Sequence, residues 1–190
     1  MAVNFNQYQP VTNARTSAND GIDVAELFVR FYVSLKDDSP AALDTNTGYP
    51  IFIVWDAITT EFMLLDFLTD GAGAIDRLLA LDTAGTGSFV TTAFTPSTTP
   101  QYVEVHWLRH ATTGGIQGRL DGSAWDNDDL DHDSDTGMVD LGTVHRLGAV
   151  IGGPTLFPDA TDEWWFDDVK IDTNDWVGAF SIAHLRAHGL

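Results

Sequence analysis

The 190-residue chain contains no cysteine, which excludes disulfides and thiolate metal centres and removes any clue to redox compartment. Lysine is almost missing too, with Lys36 and Lys170 the only two. Basic residues number 9 against 28 acidic ones, for a formal net charge of -19. A surface of that sign repels phosphate backbones, so no nucleic-acid partner is expected, and anionic membrane surfaces are disfavoured for the same reason. No apolar segment approaches the roughly 20 residues needed to span a bilayer, so no membrane insertion is expected. The opening Met1-Ala2-Val3-Asn4-Phe5-Asn6 lacks the basic region and apolar stretch of a secretory signal. A soluble protein that reaches an extracellular place by another route, such as lysis, is the expectation.

Glutamate is scarce as well: Glu26, Glu61, Glu104 and Glu163 are the only four, and aspartate supplies the remaining acidity. Aspartate belongs in turns and loops, where its short side chain bonds the nearby backbone, so part of the excess reflects a loop-rich fold. Two causes compete for the rest: adaptation to high salt, which screens self-repulsion, and calcium binding. Apolar residues make up 44% of the chain and aromatics 11%, enough for a sizeable core, and they come in short runs broken by Gly, Thr, Asp and Pro. That rhythm suits strands and turns.

A single domain is expected. Residues 1–20 read as an arm or irregular first strand, 21–175 as the sandwich, and 176–190 as a closing strand or tail. Between Ile22 and Leu35, Leu27, Val29, Phe31 and Val33 alternate with Phe28, Arg30, Tyr32 and Ser34, the pattern of a strand with one buried and one mixed face. Further strands are expected over Tyr49 to Trp55, Glu61 to Leu68, Ser88 to Phe94, Tyr102 to Trp107, Val139 to Ile151 and Trp164 to Ile171. A hairpin strand holding Ile116, Gly118 and Leu120 runs into the turn pair Asp121-Gly122. The run Ile75 to Leu81 fits a strand or a helical turn equally, and Phe180 to His188 a strand or short helix. No internal repeat or linker interrupts the chain.

In the second half, five segments follow one another in a recognisable order. They are Tyr102-Val103-Glu104-Val105-His106-Trp107, Leu120-Asp121-Gly122, Asp126-Asn127-Asp128, Val144-His145-Arg146-Leu147-Gly148-Ala149-Val150 and Trp165-Phe166-Asp167-Asp168-Val169. The series resembles the laminin-G-like branch of the concanavalin A-like superfamily over residues 100 to 175. The resemblance implies an all-β, two-sheet antiparallel jelly-roll sandwich. The tail Asp175-Trp176-Val177-Gly178-Ala179-Phe180-Ser181-Ile182 resembles the ending of virion-borne members of this fold in tailed phages. That second resemblance implies a virion location, other virion proteins as partners and a homo-oligomer.

Many relatives of this fold cut or bind glycans, and cutting them is the work of paired carboxylates. A glycosidase needs two carboxyl groups at about 5–5.5 Å or 6.5–9.5 Å, which on one strand face means residues at i and i+2 or i+4. No strand of the E-x-D-x-x-E kind is present. Glu61 and Asp66 lie at odd spacing, and the adjacent Asp167 and Asp168 face opposite sides of a regular strand; their expected role is to tie a neighbouring turn. Glu104 and His106 are the remaining pair, at i and i+2 with Tyr102, and could act as acid and base. A solvated polar sheet face accounts for them more simply. No G-x-S-x-G elbow, Walker loop or dinucleotide fingerprint appears, and the expectation is a protein that is not an enzyme.

For metal, Asp131, Asp133 and Asp135 start like a calcium loop. Thr136 then stands where the invariant glycine belongs and Gly142 where the bidentate glutamate belongs, which excludes an EF-hand. A looser calcium site drawn from Asp126, Asp128, Asp131, Asp133 and Asp135 is the metal candidate; no other cofactor is indicated. For sugars, Trp125 beside this loop and Trp164 of the Trp164-Trp165 pair are candidate stacking platforms, with Glu104 and His106 as polar partners. The leading functional expectation is a non-catalytic structural or adhesion module on a virion surface, as capsid decoration, fibre or tail protein. The alternative is a calcium-assisted carbohydrate-binding, lectin-like domain, and a glycan hydrolase or lyase stands behind both.

Overall fold

A computed structural model of the chain describes residues 2–6, 15–19, 26–35, 43–57, 60–82, 89–108, 114–125, 144–148 and 163–178. Among them are twelve strands and no helix. In chain order the strands are β1 (Ala2–Asn6), β2 (Arg15–Asn19), β3 (Glu26–Leu35), β4 (Gly48–Ala57), β5 (Thr60–Thr69) and β6 (Ile75–Asp82). They continue with β7 (Phe89–Ala93), β8 (Gln101–Leu108), β9 (Gly115–Leu120), β10 (Ser123–Ala124), β11 (Val144–Gly148) and β12 (Glu163–Asp172). The first sheet has the order β1-β12-β3-β8-β9-β10 and the second β2-β11-β4-β5-β6-β7. Every pairing is antiparallel. This is a two-sheet jelly-roll sandwich, as the sequence implies.

Side-chain alternation sets the faces. Leu27, Val29, Phe31, Val33 and Leu35 of β3 are all buried, as are Val103, Val105 and Trp107 of β8. Their register pairs Val29 with Val105 and Leu27 with Trp107, so one continuous apolar face forms across the middle of the first sheet. The second sheet answers with Ile51 and Phe52 of β4, Leu65 and Phe67 of β5, Leu78 and Ala80 of β6, and Val90 of β7. Phe52 stacks on Trp107 across the sandwich at 6.0 Å between ring centroids. Hydrophobic burial of these two faces against each other drives the sheets together.

Three details depart from the sequence reading or resolve it. The first twenty residues hold two regular strands, β1 and β2, which join opposite sheets; β1 pairs with β12 and β2 with β11. Their polar composition hides this because the partners lie far away in sequence. Residues 75–82, ambiguous on periodicity, form strand β6. On β12 the register jumps between Asp167 and Lys170, so three steps on β12 match two on β3. Asp168 carries the extra residue with φ 48°, a left-handed conformation that aspartate tolerates better than most residues. The Asp121-Gly122 turn behaves as expected: φ values of 49° and 82° give a two-residue hairpin of the type whose twist matches the flanking strands.

Candidate functional site

The side chains of the first sheet that point away from the core form ordered rows. One row crosses four strands: Lys170 on β12 is paired with Arg30 on β3, Arg30 with Glu104 on β8, and Glu104 with Arg119 on β9. The adjacent row runs Asp172, Phe28, His106, Gln117, and on the other side Tyr32 is paired with Tyr102. Glu104 thus sits between two arginines in register. Opposite charges directly across a pair of strands attract at close range.

A solvated polar face was the simpler expectation for Glu104 and His106. They are buried instead: Glu104 is 2% exposed, Arg30 3% and His106 7%. The cause is the segment after β12, which folds back over this face. Glu104 Oε1 accepts the Gly178 N–H at 2.6 Å, and Arg30 Nη1 donates to the Gly178 carbonyl at 2.7 Å. The Trp176 ring meets Phe28 edge-on at 5.6 Å and His106 at 5.8 Å. The Arg119 guanidinium lies 3.9 Å from the centre of the same ring, a cation–π contact.

Each polar group is held from a second side. Arg30 Nη2 pairs with the carboxylate of Asp168, which the bulge turns toward it. Asp168 therefore does more than tie a turn, because the added residue breaks the strict alternation assumed for it. The imidazole of His106 is stacked flat on Phe28 at 4.1 Å. Its Nε2 is 2.8 Å from Glu26 Oε1 and its Nδ1 3.4 Å from Gln117 Oε1. A carboxylate only accepts, so the Nε2 position carries a proton. Tyr32 and Tyr102 form a tilted pair at 5.6 Å beside Arg30 and Glu104.

Burial also shifts the acid–base behaviour of the face. It pushes the Arg30 guanidinium down from its ordinary value, opposed by Tyr32 and Glu104, although a guanidinium stays charged throughout the working range. Burial, with the negative Glu104 adding to it, pushes the Tyr102 hydroxyl up. Tyr102 therefore stays a neutral donor and acceptor.

The other predicted site residues fall elsewhere. Trp125 is 4% exposed and belongs to the core cluster. Its backbone N–H is bonded to the Gly118 carbonyl at 3.0 Å, which draws its indole over the bare backbone of Gly118. A ring covered in this way offers no face to a sugar, so Trp125 is a packing residue and not a stacking platform. The Trp164 backbone is in register with Leu35 of β3 and Phe5 of β1. The calcium candidates Asp126, Asp128, Asp131, Asp133 and Asp135 lie outside the described residues. Among the described residues no group of three or more His, Asp or Glu could hold a metal ion.

Sequence reasoning placed Glu104 and His106 together on one face but missed Arg30, Arg119, Gln117 and Trp176 as their companions. Arg30 had a signal: a lone arginine in the polar phase of an otherwise apolar strand. Trp176 and Gly178 had none, because the return of the tail is a tertiary event.

A jelly-roll sandwich with a polar cluster buried on one outer face defines the class of molecule. No protein-family model matches the sequence, and no curated protein does. Solved structures share the fold. The cellulose-induced protein Cip1 is similar with a TM-score of 0.52 at 18% identity, over 86% of this chain and 74% of its own. The alginate lyase AlyC3, solved with dimannuronate, gives 0.53 at 10% identity, over 83% of this chain and 69% of its own. A tetrameric galectin from the ball sponge Cinachyrella gives 0.46 at 12% identity, over 82% and 97%. At these identities the likeness is one of fold. No helix among the described residues is long and apolar enough to cross a membrane.

Proposed function

We propose that the chain binds saccharides on the outer face of its first sheet, with Arg30 and Glu104 as the polar readers of the sugar. One observation carries this reading: two buried charged side chains jointly hold the N–H and the C=O of a single residue, Gly178. Those two atoms are separated by three covalent bonds, N–Cα–C–O. Two neighbouring hydroxyls of a sugar ring, O–C–C–O, have the same spacing. A hydroxyl both donates and accepts, so a vicinal diol satisfies the Glu104 acceptor and the Arg30 donor as Gly178 does. With Trp176 moved aside, Phe28, Tyr32 and Tyr102 supply the aromatic surface that the apolar face of a sugar prefers.

The test is calorimetric titration with a panel of neutral and acidic oligosaccharides, including cello-oligosaccharides and dimannuronate. Binding by the wild type is expected, with Glu104→Gln weakening it about tenfold or more, since a hydrogen bond to a charged group contributes about 1.5–3 kcal/mol. A folded wild type that binds nothing on the panel overturns the reading.

A second reading has one specific observation behind it. Tyr102, Glu104 and His106 share their face with Arg30, so groups able to move a proton stand beside a cation that would offset a substrate carboxylate. Lyase-type elimination from an acidic polysaccharide needs such a pairing, and the fold neighbour AlyC3 is an alginate lyase. Appearance of unsaturated chain ends on incubation with alginate, lost in His106→Ala, would support it.

Display on a virion or similar assembly is a setting in which a sugar-binding face would serve adhesion. The first half of the tail motif that suggested it, Asp175 to Gly178, has a local role in covering the sheet. Copurification with particles tests the assembly reading independently of any sugar.

A further inference from the structure

We infer that the segment Trp176–Gly178 is a built-in competitor for the saccharide position, so that sugar binding and displacement of this segment are one event. The inference rests on reading the Arg30–Glu104 face as a sugar site, and it adds how access to that site is governed.

The segment uses the very groups the sugar would use. Gly178 fills both the Glu104 acceptor and the Arg30 donor, and Trp176 lies over Phe28 and His106. A ligand cannot reach either charged group until these contacts open.

What lies beneath is wrong for a permanent seal. Arg30, Glu104 and His106 are buried polar groups, and taking charges out of water costs several kcal/mol per ion before pairing offsets it. Apolar side chains in the same row would hold a closing strap at less cost. A polar row under a short strap suits a surface that is also used with the strap away.

The attachment is slight enough to reverse. Trp176, Val177 and Gly178 are each only partly buried. Gly178 has φ +69°, with open space where a Cβ would lie. The left-handed backbone lets Gly178 offer both its N–H and its C=O to the sheet. An alanine there meets no neighbour but carries the left-handed penalty of about 1–2 kcal/mol, and only in the closed state. Gly178→Ala should therefore shift the closed-to-open balance about fivefold to thirtyfold. Apparent affinity scales with the fraction of competent molecules, so the dissociation constant should fall by the same factor while the closed state dominates.

The experiment uses the full chain, with dimannuronate and cellotetraose as probes, and reads two signals. One is the dissociation constant of wild type and Gly178→Ala. The other is the hydrogen-exchange rate of the Gly178 amide with and without saccharide. The expected result is tighter binding by Gly178→Ala, with saccharide accelerating exchange at Gly178 in the wild type. Binding that is equal in both proteins and leaves Gly178 exchange unchanged overturns the competitor and leaves the sugar site standing. Absence of binding in both proteins removes the sugar site, and the competitor with it. If Gly178→Ala does not fold, Trp176→Leu, which loses the ring contacts and the cation–π pair, provides the same comparison.

Discussion

The indole of Trp125 occupies the space that any side chain at position 118 would need; a Cβ built on Gly118 would fall among the ring carbons. The two residues are fixed by a backbone bond from Trp125 N–H to Gly118 C=O, so neither can drift away from the other. Gly118→Ala is expected to destabilise the fold by about 1–3 kcal/mol through overpacking. In a Trp125→Ala background the same substitution should cost markedly less, because the obstructing ring is gone. Chemical denaturation of the four proteins in this cycle measures the coupling; additive costs would show that the two side chains do not compete for space.

The buried charges of the first sheet make a second prediction. Arg30→Met removes the cation that lies beside both Glu104 and Asp168. The loss should be about 3 kcal/mol or more, the range for breaking a buried pair from one side. Replacing both Arg30 and Glu104 by methionine should recover part of that loss, since the deeply buried Glu104 charge is then gone and only the more exposed Asp168 is left without the cation. A double variant less stable than Arg30→Met would contradict this account.

Stability should also vary with pH at both extremes. Tyr102 has its hydroxyl pushed up by burial and by Glu104, so the folded state holds that proton more tightly than the unfolded chain. Stability is then independent of this group below about pH 10 and falls as pH rises beyond it. Tyr102→Phe should flatten the alkaline limb. At the acid end, Asp70 is held below the usual carboxylate range by the amides of Ala74 and Ala72, and Asp172 by those of Asn174 and Thr173. Their contribution is present at neutral pH and disappears as pH falls through their folded values. Thermal unfolding of Asp70→Asn across an acid series should show a shallower decline than wild type.

Much of the sandwich was legible because antiparallel strands with one buried face write their phase into the sequence. Leu27, Val29, Phe31 and Val33 are buried in the phase their alternation indicates, and the Asp121-Gly122 pair marks its hairpin because few residues accept φ > 0. Legibility ended where structure depends on distant contacts. β1 and β2 look like a polar arm because their pairing partners come more than a hundred residues later. The bulge at Asp168 breaks the parity by which adjacent aspartates were assigned to opposite faces. Glu104 and His106 were found as a same-face pair, yet their burial depends on a segment some seventy residues downstream. Trp125 was misread as a platform because nothing local shows that its chain turns back across Gly118.

The pairing of β1 with β12 and of β2 with β11 has a consequence for how the protein is made. On the ribosome, the strands synthesised first wait for the strands synthesised last. At about 5–20 residues per second the wait is several seconds or longer. Through that interval β3 has β8 but not β12, and β4 has β5 but not β11, so each half-built sheet offers an open edge. Contacts this distant in sequence slow folding. The nascent chain, rather than the finished sandwich, is therefore where aggregation and dependence on chaperones should be sought.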